Sequence, residues 1–308
     1  MDFRQPFYLF IEALDMHKLL LTLLLAAAFS HAQTVRSLRK VAGQIHSPEI
    51  MAHYQEQING TAKLDGFGYL AKSDQTTVNA LLSVIAPQHR QANWGLIGLK
   101  PWRDDLWIAT ACAAEQVRPQ KSDSAYYDEC TYLSDDAKSV MAVALVRRSG
   151  NGFELAAEPW IETTQLSNPE QSTFSLTNHM GDLVIGDPDR LDLASYTLNE
   201  QTRAFGLRYS ALVGYSGGGA MSQAMTLFAV IDGKLKPVLS VSTFDFEDLA
   251  GDWNRDGTRQ HHVESAEYVL VMDKTANSGF RDIIWREKGA GKKQQKKYRW
   301  DAVQKAYR

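Results

Sequence analysis

Three times along this chain an apolar run stops at a glycine-centred turn and resumes as a second apolar run. Residues 140–146 lead through Ser149-Gly150-Asn151-Gly152 into 153–157, residues 227–231 through Asp232-Gly233 into 235–241, and residues 268–272 through Asn277-Ser278-Gly279 into 280–285. Asp-Gly and Asn-Gly pairs suit tight hairpins, because both central positions of the favoured turn take a positive φ. From Trp94 onward the same texture continues, short apolar runs parted by glycine, aspartate and asparagine, which is how strands joined by turns read. The turns share a type without sharing a fixed period, so a solenoid is not indicated. The expected fold is mainly β with N-terminal helices, an α+β arrangement built on an antiparallel meander, its strands forming either partial propeller-like blades or a curved sheet.

Helical spacing is confined to the segment 35–86. Leu38, Val41, Ile45 and Ile50 recur at helical intervals within 35–57, with a break at Ser47-Pro48, and a second helix is predicted over 76–85, stopped by Pro87. No Pro-rich or low-complexity linker divides the chain beyond this segment, so residues 33–308 are read as a single β-rich domain.

The first 32 residues read as a secretory signal peptide. Met16-His17-Lys18 supplies a positive charge ahead of the apolar stretch 19–29, and Ser30-His31-Ala32 places small residues at the two positions a signal peptidase reads, so the cut is expected before Gln33. Asp2, Glu12 and Asp15 lie where a positive region belongs, which makes Met16 the expected start and residues 1–15 a mis-assigned beginning. The apolar stretch falls short of the roughly 20 residues a bilayer span needs, and no later segment supplies one. A periplasmic or secreted product with no integral membrane segment is therefore expected.

Export gives the two cysteines their meaning. Cys112 and Cys130 make an even count in an oxidising compartment, and a disulfide between them is predicted. Charge is nearly balanced, 33 basic against 36 acidic side chains for a net of −3, so no global field points to nucleic acid. Lys292, Lys293, Lys296 and Lys297, clustered around Gln294-Gln295, read as a solvated hairpin loop.

Two motifs could carry chemistry. Gly214-Tyr215-Ser216-Gly217-Gly218 fits G-x-S-x-G and locally resembles the nucleophile elbow of the α/β-hydrolases. That resemblance implies a strand over Leu212-Val213, a helix over 220–231, and Ser216 served by His261 or His262 with one of Asp245, Asp248, Asp252 or Asp256. The bland reading is a glycine turn or bulge between strands, where residues without a side chain permit positive φ or close backbone approach.

The second motif is Asp252-Trp253-Asn254-Arg255-Asp256-Gly257, with oxygen-bearing side chains at its first, third and fifth positions and glycine at the sixth. It resembles the D-x-N-x-D-G loop of FG-GAP (integrin-type) propeller repeats, which implies calcium held by Asp252, Asn254 and Asp256. An EF-hand proper is not met, since Val263 stands where that loop needs a glutamate. An Asx-rich turn closed by side-chain to backbone hydrogen bonds accounts for the same residues without metal. His261 and His262 are adjacent and on a strand point to opposite faces, so they do not share one ion.

Trp102, Trp107, Tyr126 and Tyr127, near the expected disulfide, are the aromatic residues that could line a binding surface, with core packing as the alternative. The reading as a whole leans away from an enzyme. It favours an exported, soluble binding protein of the cell envelope that recognises a protein, a peptide or a glycan, like inhibitor or immunity proteins by analogy. The alternative is a secreted serine hydrolase of esterase or lipase type using Ser216.

Overall fold

The computed structural model describes residues 33–35, 38–45, 51, 66–68, 75–89, 93–114, 138–165, 167–289 and 295–308. Its strands are β1 (Gln33–Val35), β2 (Asn93–Arg103), β3 (Leu106–Ala114), β4 (Lys138–Ser149), β5 (Gly152–Leu155), β6 (Trp160–Gln165), β7 (Ser175–Thr177), β8 (Leu183–Ile185), β9 (Asp187–Thr197) and β10 (Arg203–Tyr215). They continue with β11 (Gly218–Ile231), β12 (Lys234–Trp253), β13 (Arg259–Asn277), β14 (Phe280–Glu287), β15 (Gln295–Tyr298), β16 (Trp300–Asp301) and β17 (Ala306–Tyr307), and an α-helix, α1, spans Gln75–Ile85.

The strands form two main antiparallel sheets. In the larger, β9 to β15 lie side by side in chain order and β1 adds to β13; in the smaller, β2, β3, β4 and β5 follow one another and β6 also pairs with β4. The β-rich meander is thus observed. Consecutive strands join one continuous sheet instead of separate blades, so the propeller-like form is not seen. All three predicted hairpins are present, and Asp232, Gly233, Ser278 and Gly279 take the positive φ their turns require.

Strand alternation explains how the layers stack. In β3 and β4 one face carries Ile108, Cys112, Met141, Val143 and Leu145, while the other carries Ala109, Ala111, Ala113, Ala142 and Ala144. The bulky face packs against Phe205, Leu207, Tyr209 and Phe228 of the larger sheet, giving two sheets a shared core. The alanine face leaves room for α1, whose Val78, Leu81, Leu82 and Ile85 recur on one side at helical spacing and lie buried on it. Between the sheets Trp160 meets Phe174 and Phe228 edge-on, and Trp102 meets Phe205. Such pairs add about 0.5–1.5 kcal/mol each beyond the area they bury.

A short strip closes one side of this sandwich. Gly66 accepts a backbone hydrogen bond from Leu191 on β9, Gly68 accepts one from Leu99 on β2, and Phe67 between them is buried in the shared core. A Cβ on Gly66 would sit 2.4 Å from Arg190 Cβ, and one on Gly68, at φ +64°, 2.6 Å from the Leu99 carbonyl oxygen, so both positions require glycine.

The N-terminal helical expectation is only half met. Helix α1 stands where residues 76–85 predicted it, ending before Pro87, but Gln33–Val35 is a strand and Leu38–Gln44 winds as a 3-10 helix. The cause is tertiary. Val35 pairs opposite His261, and Val41 buries against Val263, so periodic apolar residues are used to cover a sheet. Residues 36–37, 46–50, 52–65 and 69–74 of the predicted helical segment, and residues 1–32, expected to be a leader, lie outside the described residues. Among the described residues no helix is long and apolar enough to cross a membrane.

Strands β12 and β13 decide where the site lies. They run for 20 and 19 residues, far beyond the usual 5–6, and β13 pairs with β12 over its first half and with β14 over its second. Their common tip, residues 253–259, therefore projects beyond the core beside the tip of the β10–β11 hairpin.

Candidate functional site

The two motifs singled out in the sequence meet at this end of the larger sheet. Ser216 and Gly217 form the two-residue turn between β10 and β11, since Tyr215 pairs opposite Gly218. The segment 220–231, which the elbow requires as a helix, is strand β11. Ser216 thus stands on an exposed hairpin tip with strands on both sides, and the strand-to-helix context of a nucleophile elbow is not formed.

The glycines of the motif have a different explanation. Gly217 takes φ +89°, and a Cβ on Gly218 would lie 2.0 Å from the Asp248 carbonyl oxygen. A side chain at 218 would push the β12 backbone away, whereas a Cβ on Gly214 meets nothing within 4 Å. Close approach of two strands, not chemistry at Ser216, makes 218 a glycine.

The second motif closes the β12–β13 hairpin. The amide of Asn254 donates to the Thr258 carbonyl at 2.7 Å, and that of Gly257, at φ +78°, donates to the Asn254 carbonyl at 3.1 Å. Asp256 Oδ1 accepts from the Thr258 amide at 3.0 Å and from its hydroxyl at 2.6 Å, while Asn254 Nδ2 donates to Thr258 Oγ1 at 2.8 Å. Two of the three residues expected to hold calcium thus turn side-chain atoms toward Thr258, which makes this an Asx turn. Asp252 stays exposed near the end of β12, and among the described residues no group of three His, Cys, Asp or Glu is placed to hold a metal ion.

Arg259 ties the two tips together. Its Nε donates to the Gly251 carbonyl at 2.8 Å and its Nη1 to the Ser216 carbonyl at 3.2 Å. The same guanidinium lies over the ring of Trp253, 5.4 Å from its centroid, because Trp253 and Arg259 face each other across the ladder. Trp253 itself is 70 % exposed, a rare state for so large an apolar ring. Sequence reasoning missed both residues, although the five-residue loop between them was a signal that they would pair across strands.

Beneath the tips lies a buried acid–histidine pair. Asp248 Oδ1 and His261 Nδ1 are 2.8 Å apart, and each residue is only 3 % exposed. Burial pushes the Asp248 carboxyl up from its ordinary range, and the hydrogen bond and charge of His261 oppose that rise. The phenol of Tyr215 donates to the Asp248 carbonyl at 2.9 Å; burial and the nearby Glu247 and Asp248 raise its own pKa. His262, as expected for its neighbour on a strand, faces the other way and pairs half-exposed with Glu264 at 2.9 Å.

The remaining sequence candidates are not brought to this site. Trp102 packs against the core between the sheets, with Arg103 over its ring, and Trp107 packs on the α1 side of the smaller sheet, with Arg148 over its ring. Opposite faces of one sheet cannot form a single aromatic surface, so Trp102 and Trp107 do not share one. Cys112 is buried on β3; Cys130, Tyr126 and Tyr127 lie outside the described residues. Of the C-terminal lysines, Lys296 and Lys297 sit on β15, where Lys297 Nζ lies 2.5 Å from Asp273 Oδ2 and 3.7 Å from Asp282 Oδ2, and Lys292 and Lys293 lie outside the described residues. Compared with protein-family models, with curated proteins and with solved structures, the chain finds no match.

Proposed function

We propose that this is an exported, non-catalytic binding protein of the cell envelope, with its recognition surface at the paired tips of the β10–β11 and β12–β13 hairpins. One observation carries the proposal: Trp253 is held out in solvent at 70 % exposure while Arg259, fixed to both tips, braces its ring. An exposed aromatic ring costs hydrophobic free energy when nothing covers it, and aromatic and arginine side chains are enriched where binding energy concentrates. The expected Cys112–Cys130 bridge and the removable leader belong to the same reading, since both suit an oxidising compartment.

A secreted serine hydrolase is the second reading, favoured by one fact: Asp248 and His261 follow Ser216 in the required order and are hydrogen-bonded through Nδ1. Treating the purified protein with a fluorophosphonate probe separates the two. The binding reading expects no adduct on Ser216; covalent capture that disappears in Ser216→Ala would replace it with the hydrolase. N-terminal sequencing of the exported product, expected to begin at Gln33, tests the leader independently.

A further inference from the structure

We infer that the open face of Trp253 is a stacking platform for a pyranose ring, so that the ligand of this surface is a carbohydrate. This rests on the binding-protein reading above and narrows its ligand to one chemical class.

Three observations favour a sugar over a polypeptide. The Arg259 guanidinium covers one face of the indole, and 70 % exposure leaves the opposite face to solvent. A flat, apolar face complements the C–H side of a pyranose, which is itself flat and weakly apolar. The ring is also held in place, because the guanidinium over it is fixed by two backbone carbonyls on two different hairpins, Gly251 and Ser216. Little freedom is then lost when a ligand settles on it.

Hydrogen-bonding groups surround the platform in the manner a hydroxyl-rich ring requires. Arginine has five N–H donors, and the two bonds to Gly251 and Ser216 leave three beside the indole without a protein acceptor among the described residues. The guanidinium is bonded to the backbone carbonyl of the exposed Ser216, so the residue that anchors the charged group also bears a hydroxyl. An extended peptide would need an open ladder to add a strand to. Here the tip backbone is already engaged, Asn254 with Thr258, Gly257 with Asn254, and the carbonyls of Gly251 and Ser216 with Arg259.

The test is calorimetric titration of the purified protein with a neutral probe, chitotetraose, an acidic probe, trigalacturonate, and an unstructured Gly-Ser peptide as control. At least one sugar is expected to bind saturably and the peptide not at all. Preference for the acidic probe would assign the free Arg259 donors to a carboxylate, and preference for the neutral one to hydroxyls. Trp253→Ala is expected to weaken sugar binding at least tenfold and Trp253→Phe only a few-fold, both with unchanged melting temperature because the ring is exposed. Binding of neither sugar, or equal binding by Trp253→Ala, would overturn the inference. If a polypeptide were then found to bind in a Trp253-dependent way, the binding-protein reading would survive alone, whereas fluorophosphonate capture of Ser216 would remove that reading itself.

Discussion

His261 places its Nδ1 2.8 Å from Oδ1 of Asp248 across two neighbouring strands, and the carboxylate has almost no solvent to fall back on. Strand β1 pairs alongside β13 here, with Val35 opposite His261 in the ladder. Removing one member leaves the other buried without its partner, which costs about 3 kcal/mol or more. His261→Ala is expected to lower the urea midpoint at an unchanged denaturant slope, corresponding to a stability loss of about that size.

Within the serine motif, two glycines should behave in opposite ways. Gly218→Ala drives a methyl group into the Asp248 carbonyl and is expected to cost more than about 2 kcal/mol. Gly214→Ala meets nothing within 4 Å and should leave stability within about 0.5 kcal/mol of the parent. Thermal melts of the two variants side by side check this; equal effects would contradict the strand-approach explanation.

Asp245 gives a pH dependence whose sign is fixed. Burial raises its carboxyl above the ordinary value, opposed by the hydroxyl of Ser222, which stands opposite it in the ladder. The folded state therefore holds the proton more tightly than the unfolded chain, so this group's contribution is fully favourable below the ordinary Asp range and is lost as pH rises through the raised value. Asp245→Asn should accordingly raise the melting temperature at pH 7, and its advantage should vanish below pH 3.8, the ordinary value. A variant less stable at neutral pH would reverse this assignment.

Asp192 should show the opposite slope. Burial pushes its carboxyl up, but the charge of Arg208, a backbone amide from Ala194 and the bonds from Arg208 and Tyr196 together bring it below the ordinary range. That stability is present above the ordinary Asp value and is lost as pH falls through the lowered one. Arg208 also donates to Gln223, itself bonded to Asp189 and Thr243, so the effect of Arg208→Met should spread through the network. A loss of about 3 kcal/mol at pH 7, shrinking in acid, is expected from chemical unfolding.

Peptide mapping without reductant should recover Cys112 and Cys130 in one cross-linked fragment from protein made in an oxidising compartment. Reduction is then expected to lower stability by about 3 kcal/mol, the entropy a loop of this length gives up in the chain model. Two free thiols would remove one support for export.

How far the sequence could be read differs between fold and site for physical reasons. Hairpins were legible because Asp232-Gly233 and Ser278-Gly279 advertise positive φ locally, at the turn itself. Helix α1 was legible because Val78, Leu81, Leu82 and Ile85 repeat on one side and Pro87 ends the run. The 35–45 segment was not, since Val35 and Val41 owe their conformation to His261 and Val263, far away in the chain. At the site, Ser216 and Asp256 were noticed for motifs whose geometry the fold does not build. Trp253 stands at a variable position of the second motif and Arg259 lies outside it, and their importance comes from a cross-strand pairing that exists only once β12 and β13 have folded.

The Gly66-Phe67-Gly68 strip has a consequence for how the protein behaves in a crowded solution. It occupies backbone positions on the border strands β9 and β2 that would otherwise be available to a neighbouring molecule, with Phe67 locking it down. On the other border, β15 is four residues long and carries Lys296 and Lys297, a charged and short template that resists stacking. Loosening the strip should therefore show itself as fibril growth or precipitation before any loss of secondary structure, since what it guards is the sheet's margin and not its interior.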